Sequence, residues 1–385
     1  MKIGILTQPL HTNYGGLLQA FALQKFLRDM GHDVLTVDYP DRRARIFLRP
    51  YFFARRCVGK FLLGHGGSLF SKRSAASSGA AMRRFVEENI RTTNRIFAPA
   101  RKKDFARYGF DAFVVGSDQV WRPAYSPHMP TFFLDFLGDD ARTRRVAYAA
   151  SFGKDVWEFS PELTAQCAPL AKKFHAISVR EDSGIALCEK FLGVRAEHVL
   201  DPTMLLNAAD YAAIVERDET RGFLEKRPAA RRLFAYILDD SPEKRATVAG
   251  TAAALGLDAD EIMPSPEALR CGTAKFPPVS AWLRRFRDSE FVVTDSFHGC
   301  VFSIIFNRPF VAIGNAGRGM SRFLSLLKMF DLETRLLTTT DGDALVAGAR
   351  RLASEAIPWE RVNASRATER ERSRKFLENA LRAGM

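Results

Sequence analysis

Apolar positions along this chain fall into short unbroken runs, separated by stretches with helical spacing and by glycines. Lys2–Leu6 is the first run and reads as a buried strand. From Leu17 to Met30, Leu17, Phe21, Gln24 and Leu27 recur at spacings of three and four, which predicts a helix, and Gly31 is placed to stop it. Val34–Tyr39 reads as the next strand. Strand, helix, strand is the unit that builds parallel sheets. The rhythm returns in strands expected at Phe110–Val115, Val146–Ala150 and Ala176–Val179, with helices at Pro161–Lys173 and Ser183–Leu192. Val199-Leu200 then leads into Asp201-Pro202. The charged stretch Arg217–Arg232 reads as a linker. Beyond it, strands are expected at Leu233–Leu238, Phe291–Thr294 and Phe310–Ile313. Helices are expected at Pro242–Leu255, Gly299–Phe306, Ser321–Met329 and, long and polar, Asn363–Ala383.

This pattern predicts an α/β protein with two Rossmann-like, doubly wound domains facing each other across a cleft. The expected domains are 1–216 and 217–385, with the last helix packing back on the first domain. Residues 41–107 break the rhythm. Seven basic residues between Arg42 and Lys60 interleave there with Phe, Tyr, Leu and Ile. We read this segment as an insertion. Its Ile46–Leu63 part suits either an element lying on an anionic membrane or a buried helix with a solvated arginine face.

Composition narrows the function. The chain has 385 residues, 46% hydrophobic and 26% charged, as in ordinary globular proteins. Its formal net charge of +13 predicts an anionic partner. Zinc-finger spacing, RNA-recognition signatures and basic-zipper heptads are absent, which argues against nucleic acid. The five cysteines are scattered with no CxxC pair, and no His/Asp/Cys cluster has ligand spacing, so neither disulfides nor a metal are expected. The apolar start is too short for a signal peptide, so a cytoplasmic location is expected.

In open parallel sheets, ligands bind beyond the carboxyl ends of the strands. The polar residues in such positions are Asn13, Ser117, Asp118, Ser151, Arg180, Asp201, Ser296 and His298. His298, between a strand and a helix start, suits a proton donor beside a bound anion; it also suits a turn cap. Arg180 suits a carboxylate or phosphate, or a local ion pair with Glu181 or Asp182. Gly116-Ser117-Asp118-Gln119-Val120-Trp121 combines hydrogen-bonding groups with an aromatic plate, a mixture fit for a sugar; Asp118 equally suits a cap. Arg318 and Arg322 flank another helix start, as an anion grip or a solvated basic face. The GxGxxG and P-loop motifs are absent.

Five segments, in order, resemble the polysaccharide pyruvyltransferase family. They are Thr12–Ala20, Val115–Trp121, Ile177–Glu181, Asp201–Thr203 and Thr294–Gly299. The resemblance implies a GT-B-like fold, phosphoenolpyruvate as donor and co-substrate with no further cofactor, and a glycan acceptor that is often lipid-linked. It implies a cyclic pyruvyl ketal as product, in cell-surface polysaccharide biosynthesis at the inner face of the plasma membrane. A histidine at His298 and an arginine at Arg180 are associated with the donor in that family. Many members carry Arg-Leu-His where this chain has Ser296-Phe297-His298, which leaves Arg318 and Arg322 as candidates for the donor's anions, beside Ser296 and Gly299. Asp118 is the expected base. Asn13, Gly15, Gly16, Ser117, Gln119 and Trp121 are expected at the acceptor. The alternative is a GT-B glycosyltransferase using a nucleotide sugar.

Overall fold

Two all-parallel sheets organise the chain. The computed structural model describes residues 1–11, 13–40, 79–126, 128–225, 227, 230–264, 268, 275–314 and 319–382. The basic aromatic stretch Ile46–Leu63 and Arg318 lie outside the described residues.

The first sheet holds β1 (Lys2–Leu6), β2 (Asp33–Thr36), β3 (Ala112–Val115), β4 (Arg144–Ala150), β5 (Ala176–Val179) and β6 (Glu197–His198), in the order β2-β1-β3-β4-β5-β6. The second holds β7 (Arg232–Tyr236), β8 (Asp258–Glu261), β9 (Phe291–Thr294), β10 (Phe310–Ile313) and β11 (Leu336–Leu337), in the order β11-β10-β9-β7-β8. Central strands such as β3 and β9 are buried at every position, because helices cover both faces of a parallel sheet. The expected doubly wound pair of α/β domains is therefore present.

The described helices of nine residues or more are α1 (Tyr14–Asp29), α2 (Ala80–Asn89), α3 (Pro161–Ala171), α4 (Ala208–Thr220), α5 (Pro242–Leu255), α6 (Val279–Asp288), α7 (Phe297–Ile305), α8 (Met320–Met329), α9 (Gly342–Ser354) and α10 (Trp359–Leu381). Helix α4 runs through position 216, and the chain passes from one sheet to the other between Thr220 and Arg232. Helix α10 returns to the first sheet. Its Ser373 hydroxyl accepts from Leu200 N at 3.1 Å, and Arg144 Nε donates to Ala380 O at 2.9 Å.

Each sheet reverses its winding once, between β1 and β3 in the first and between β7 and β9 in the second. A crevice opens outside the carboxyl ends of the strands at such a reversal. The two reversals supply opposite walls of a single cleft.

Candidate active site

The cleft has a volume of about 380 Å³, within the range of small-ligand sites. Gln8, Asn13 and Gly15 line it from beyond β1, and Asp118 and Gln119 from beyond β3. Ser296, Phe297 and His298 come from beyond β9, and Arg322 from α8. A larger groove of about 810 Å³ lies between α10 and the starts of β4, β5 and β6, lined by Arg144, His175, Glu197 and Lys375. It opens at the amino ends of the strands, where parallel sheets do not place their chemistry.

The first wall is built by α1. Asn13 caps the helix, its side chain accepting from Gly16 N at 3.2 Å. Tyr14 reaches across to the second sheet's helices, stacking on Trp282 at 5.5 Å and donating to Pro277 O at 2.9 Å. Gln19 is fully buried; its amide donates to Thr7 Oγ1 at 2.8 Å and accepts from Ser117 N at 3.0 Å. One side chain thereby ties together the end of β1, helix α1 and the loop that carries Asp118. Asp118 sits in the left-handed region at φ 67°, a conformation Asp tolerates better than most residues.

The second wall is the run Thr294–Gly299. Thr294 Oγ1 donates to Tyr236 O at 2.8 Å and accepts from Ser296 N at 3.1 Å. The Asp295 carboxylate accepts from Leu238 N at 2.6 Å and Asp239 N at 3.1 Å, and pairs with Lys244 at 2.6 Å. Ser296 caps α7, accepting from Gly299 N at 3.4 Å. A Cβ on Gly299 would lie 2.1 Å from Thr294 Oγ1, so only glycine fits against β9 here.

His298 links the walls. A Cβ on Gly15 would stand 2.0 Å from its Nδ1, so the imidazole lies directly over the α1 backbone. Its Nε2 is 3.7 Å from Asp201 Oδ2 and makes no hydrogen bond with a described residue. Gly319, at φ 90°, makes a second tight approach: a Cβ there would lie 1.9 Å from Gly153 O, beyond β4.

Behind the cleft lies a buried charge cluster. Arg180, with its side chain 1% exposed, faces Asp201 at 3.0 Å, Glu181 at 3.5 Å and Asp118 at 3.6 Å. Burial alone would lower its pKa, but the charges of Glu181, Asp201 and Asp118 raise it above the usual arginine value. Burial pushes the Asp201 carboxyl up; His298 first, then Arg180 and the Thr203 hydroxyl, outweigh this and hold it far below the usual range. Arg322 is lowered to about 10, by burial first and then by the like charge of Arg180. It stays protonated at neutral pH, and an anion arriving in the cleft relieves the repulsion. Phe297 lies beneath both guanidiniums, 4.6 Å from Arg180 and 5.9 Å from Arg322.

Asn13, Gly15, Asp118, Gln119, Ser296, His298 and Arg322 are therefore brought together, with Gly16 in the adjoining helix cap. Several expected residues stand elsewhere. Trp121 is fully buried, stacked on Phe133 at 4.9 Å, so it is a core residue and cannot be the acceptor's plate. Ser117 is likewise inaccessible; its hydroxyl donates to Ala149 O at 2.8 Å. Gly299 gives its N–H to Ser296 and packs against β9, and it does not line the cleft. Arg180 stands behind the cleft wall, where it faces the protein's own carboxylates and does not line the cleft. Asp201 was flagged by its position after an apolar run, but nothing in the sequence told that it faces His298.

Two parallel-sheet domains with their winding reversals facing across one cleft define the GT-B type of α/β enzyme. A family model described as polysaccharide pyruvyl transferase matches residues 13–317, and the chain belongs to that family. Comparison with curated proteins gave no significant match. Among solved structures the chain is similar to UDP-GlcNAc 2-epimerase from Methanocaldococcus jannaschii, with 10% identity, 98% of this chain and 100% of that chain covered, and a TM-score of 0.53. It is also similar to the Neisseria meningitidis UDP-GlcNAc 2-epimerase, with 8% identity, 98% and 100% coverage and a TM-score of 0.51. A glycosyltransferase from Rickettsia africae gives 10% identity, 98% and 99% coverage and a TM-score of 0.51. At such identities the likeness establishes the fold alone.

Two substitutions test this geometry. Gly15→Ala drives a methyl group into the His298 ring, and steady-state kinetics should show kcat/KM reduced about 100-fold, the cost of displacing a reacting group by about 1 Å. Asp201→Asn should cost about 3–5 kcal/mol at pH 7, because it leaves buried Arg180 without its nearest counter-charge. The depressed carboxyl contributes stability above about pH 3.9 and loses it as pH falls below that value. Urea unfolding at pH 7 and at about pH 3 should therefore show the gap between variant and parent narrowing on acidification.

Proposed function

We propose that this enzyme transfers the pyruvyl group of phosphoenolpyruvate to two hydroxyls of one glycan sugar, forming a cyclic ketal and releasing phosphate. The observation that carries the reading is the meeting of His298 and Asp118, from different sheets, in one cleft with the Arg322 cation. Family membership supports a pyruvyl donor.

Phosphoenolpyruvate is an enol phosphate, so an alcohol adds at C2 only as C3 gains a proton. His298, as imidazolium, gives that proton to C3. The first sugar hydroxyl forms its bond to C2 and passes its proton to Asp118. The resulting carbon carries the new ether, a methyl group, the carboxylate and the phosphate. The C–O bond to phosphate then breaks, with the Asp118 proton leaving on the phosphate. The second hydroxyl closes the ring on C2, and its proton returns to His298. Both groups end as they began.

Arg322 grips the donor's anions, helped by the Ser296 hydroxyl. Arg180 acts one layer behind, facing Asp118 at 3.6 Å and helping to hold Asp201 ionised. The same proposal places the acceptor on a lipid carrier at the inner membrane face. No helix among the described residues is long and apolar enough to cross a membrane.

Phosphate release from phosphoenolpyruvate in the presence of a glycan acceptor tests the reading. His298→Ala should lower kcat by about 10²–10⁴-fold, the usual worth of general acid–base help, while donor binding persists in calorimetry. Full activity in that variant would remove the acid role. Arg322→Met should raise the donor KM about 10-fold or more, the loss of one charge-assisted hydrogen bond. Binding of a nucleotide sugar but not of phosphoenolpyruvate would point instead to a glycosyltransferase.

A further inference from the structure

We infer that Tyr125 is the platform on which the acceptor's sugar ring is seated. The inference rests on the pyruvyl-transfer reading and adds to it the place and chemistry of the acceptor subsite.

A pyranose has polar hydroxyl edges and an apolar C–H face. Its site needs a flat apolar surface beside hydrogen-bonding groups. Trp121 cannot serve, being fully buried. Four residues further along the same loop, Tyr125 is 49% exposed and lines the cleft that holds Asp118 and His298. The other large aromatics of that lining, Tyr236, Phe297 and Phe323, are buried.

The ring is held for the task. The Arg122 guanidinium lies 4.5 Å from its centroid and covers one face. Arg122 is itself fixed, donating to Glu158 at 3.0 Å and to Gln119 Oε1 at 3.0 Å, and is only 6% exposed. Tyr125 N donates to Arg122 O at 3.0 Å, which pins the turn. The next residue, Ser126, donates to Val120 O at 2.8 Å and accepts from Gln8 Nε2 at 3.1 Å. The uncovered ring face is therefore presented from a preset position, which saves the ordering cost that a loose side chain would bear on binding.

The placement also matches the chemistry. Asp118, the base for the acceptor hydroxyl, sits on the same loop and the same wall as Tyr125. Arg322 and Ser296 hold the donor's anions on the opposite wall. A sugar lying on Tyr125 thus approaches Asp118 with its hydroxyl edge and leaves the cationic wall to the donor.

The test uses methyl hexopyranosides as probes, with saturation-transfer NMR for binding and phosphate release from phosphoenolpyruvate for turnover. Tyr125→Ala should abolish saturation of the sugar ring protons and raise the acceptor KM about 10-fold, equivalent to about 1.4 kcal/mol, with the donor KM little changed. Tyr125→Phe, which keeps the flat face, should restore most of the lost affinity. An unchanged acceptor KM in Tyr125→Ala overturns the inference. An equal loss in Tyr125→Phe overturns it too, because the hydroxyl and not the ring would then be the contact. So does the absence of sugar binding by the unsubstituted protein. Sugar binding that depends on Tyr125, without any phosphate release, would count against pyruvyl transfer while upholding the platform.

Discussion

A carboxylate with no access to water underlies the whole site. Asp201 lies between Arg180, on its own side of the cleft, and His298, delivered from the other sheet. A buried charge of this kind is tolerated only when it is compensated from close by. The compensation here comes from Arg180 and from the Thr203 hydroxyl, which donates at 2.7 Å. Arg180 is the nearer partner at 3.0 Å, and His298 stands 3.7 Å away against the first domain.

Glycine sets how close that approach is. Gly15 under His298, and Gly319 against Gly153, leave no room for a Cβ. Tyr14 reinforces the joint by crossing to Trp282. Asn13-Tyr14-Gly15-Gly16 thus divides its labour: cap, bridge, contact and the N–H that the cap accepts. The run Thr294–Gly299 does the same on the facing side. Its threonine braces the turn, its aspartate ties down the β7 loop, its serine caps, and its histidine enters the cleft.

Much of this architecture was legible in the sequence. Lys2–Leu6, Ala176–Val179, Pro242–Leu255, Phe291–Thr294 and Phe310–Ile313 were read at the residues where the structure has them, because apolar runs ended by polar or glycine residues leave few choices. Strand β8, Asp258–Glu261, was invisible: as an edge strand it is mostly exposed, and its Asp-Ala-Asp-Glu sequence has no apolar run. Helix α6 did carry a signal, since Val279, Trp282, Leu283 and Phe286 share a buried face at helical spacing, yet the expectation omitted it. At the site, the rule of strand ends found the loops but not the direction of each side chain. Trp121 and Tyr125 share one loop, and only packing decides that the larger ring fills the core while the other faces the cleft. Arg180 was legible as an anion partner, and its local pair with Glu181 was one of the two readings; its pairs with Asp118 and Asp201 depend on residues distant in sequence.

The glycine contacts also make the enzyme vulnerable to a kind of ligand unlike its substrates. His298 and Asp118 belong to different domains, and close approaches such as those of Gly15 and Gly319 set their spacing at the cleft. A compound that wedges between Gly319 and Gly153 would part His298 from Asp118 without occupying the cleft itself. Inhibition of this sort needs shape and little charge, and abundant anionic metabolites would compete with it poorly.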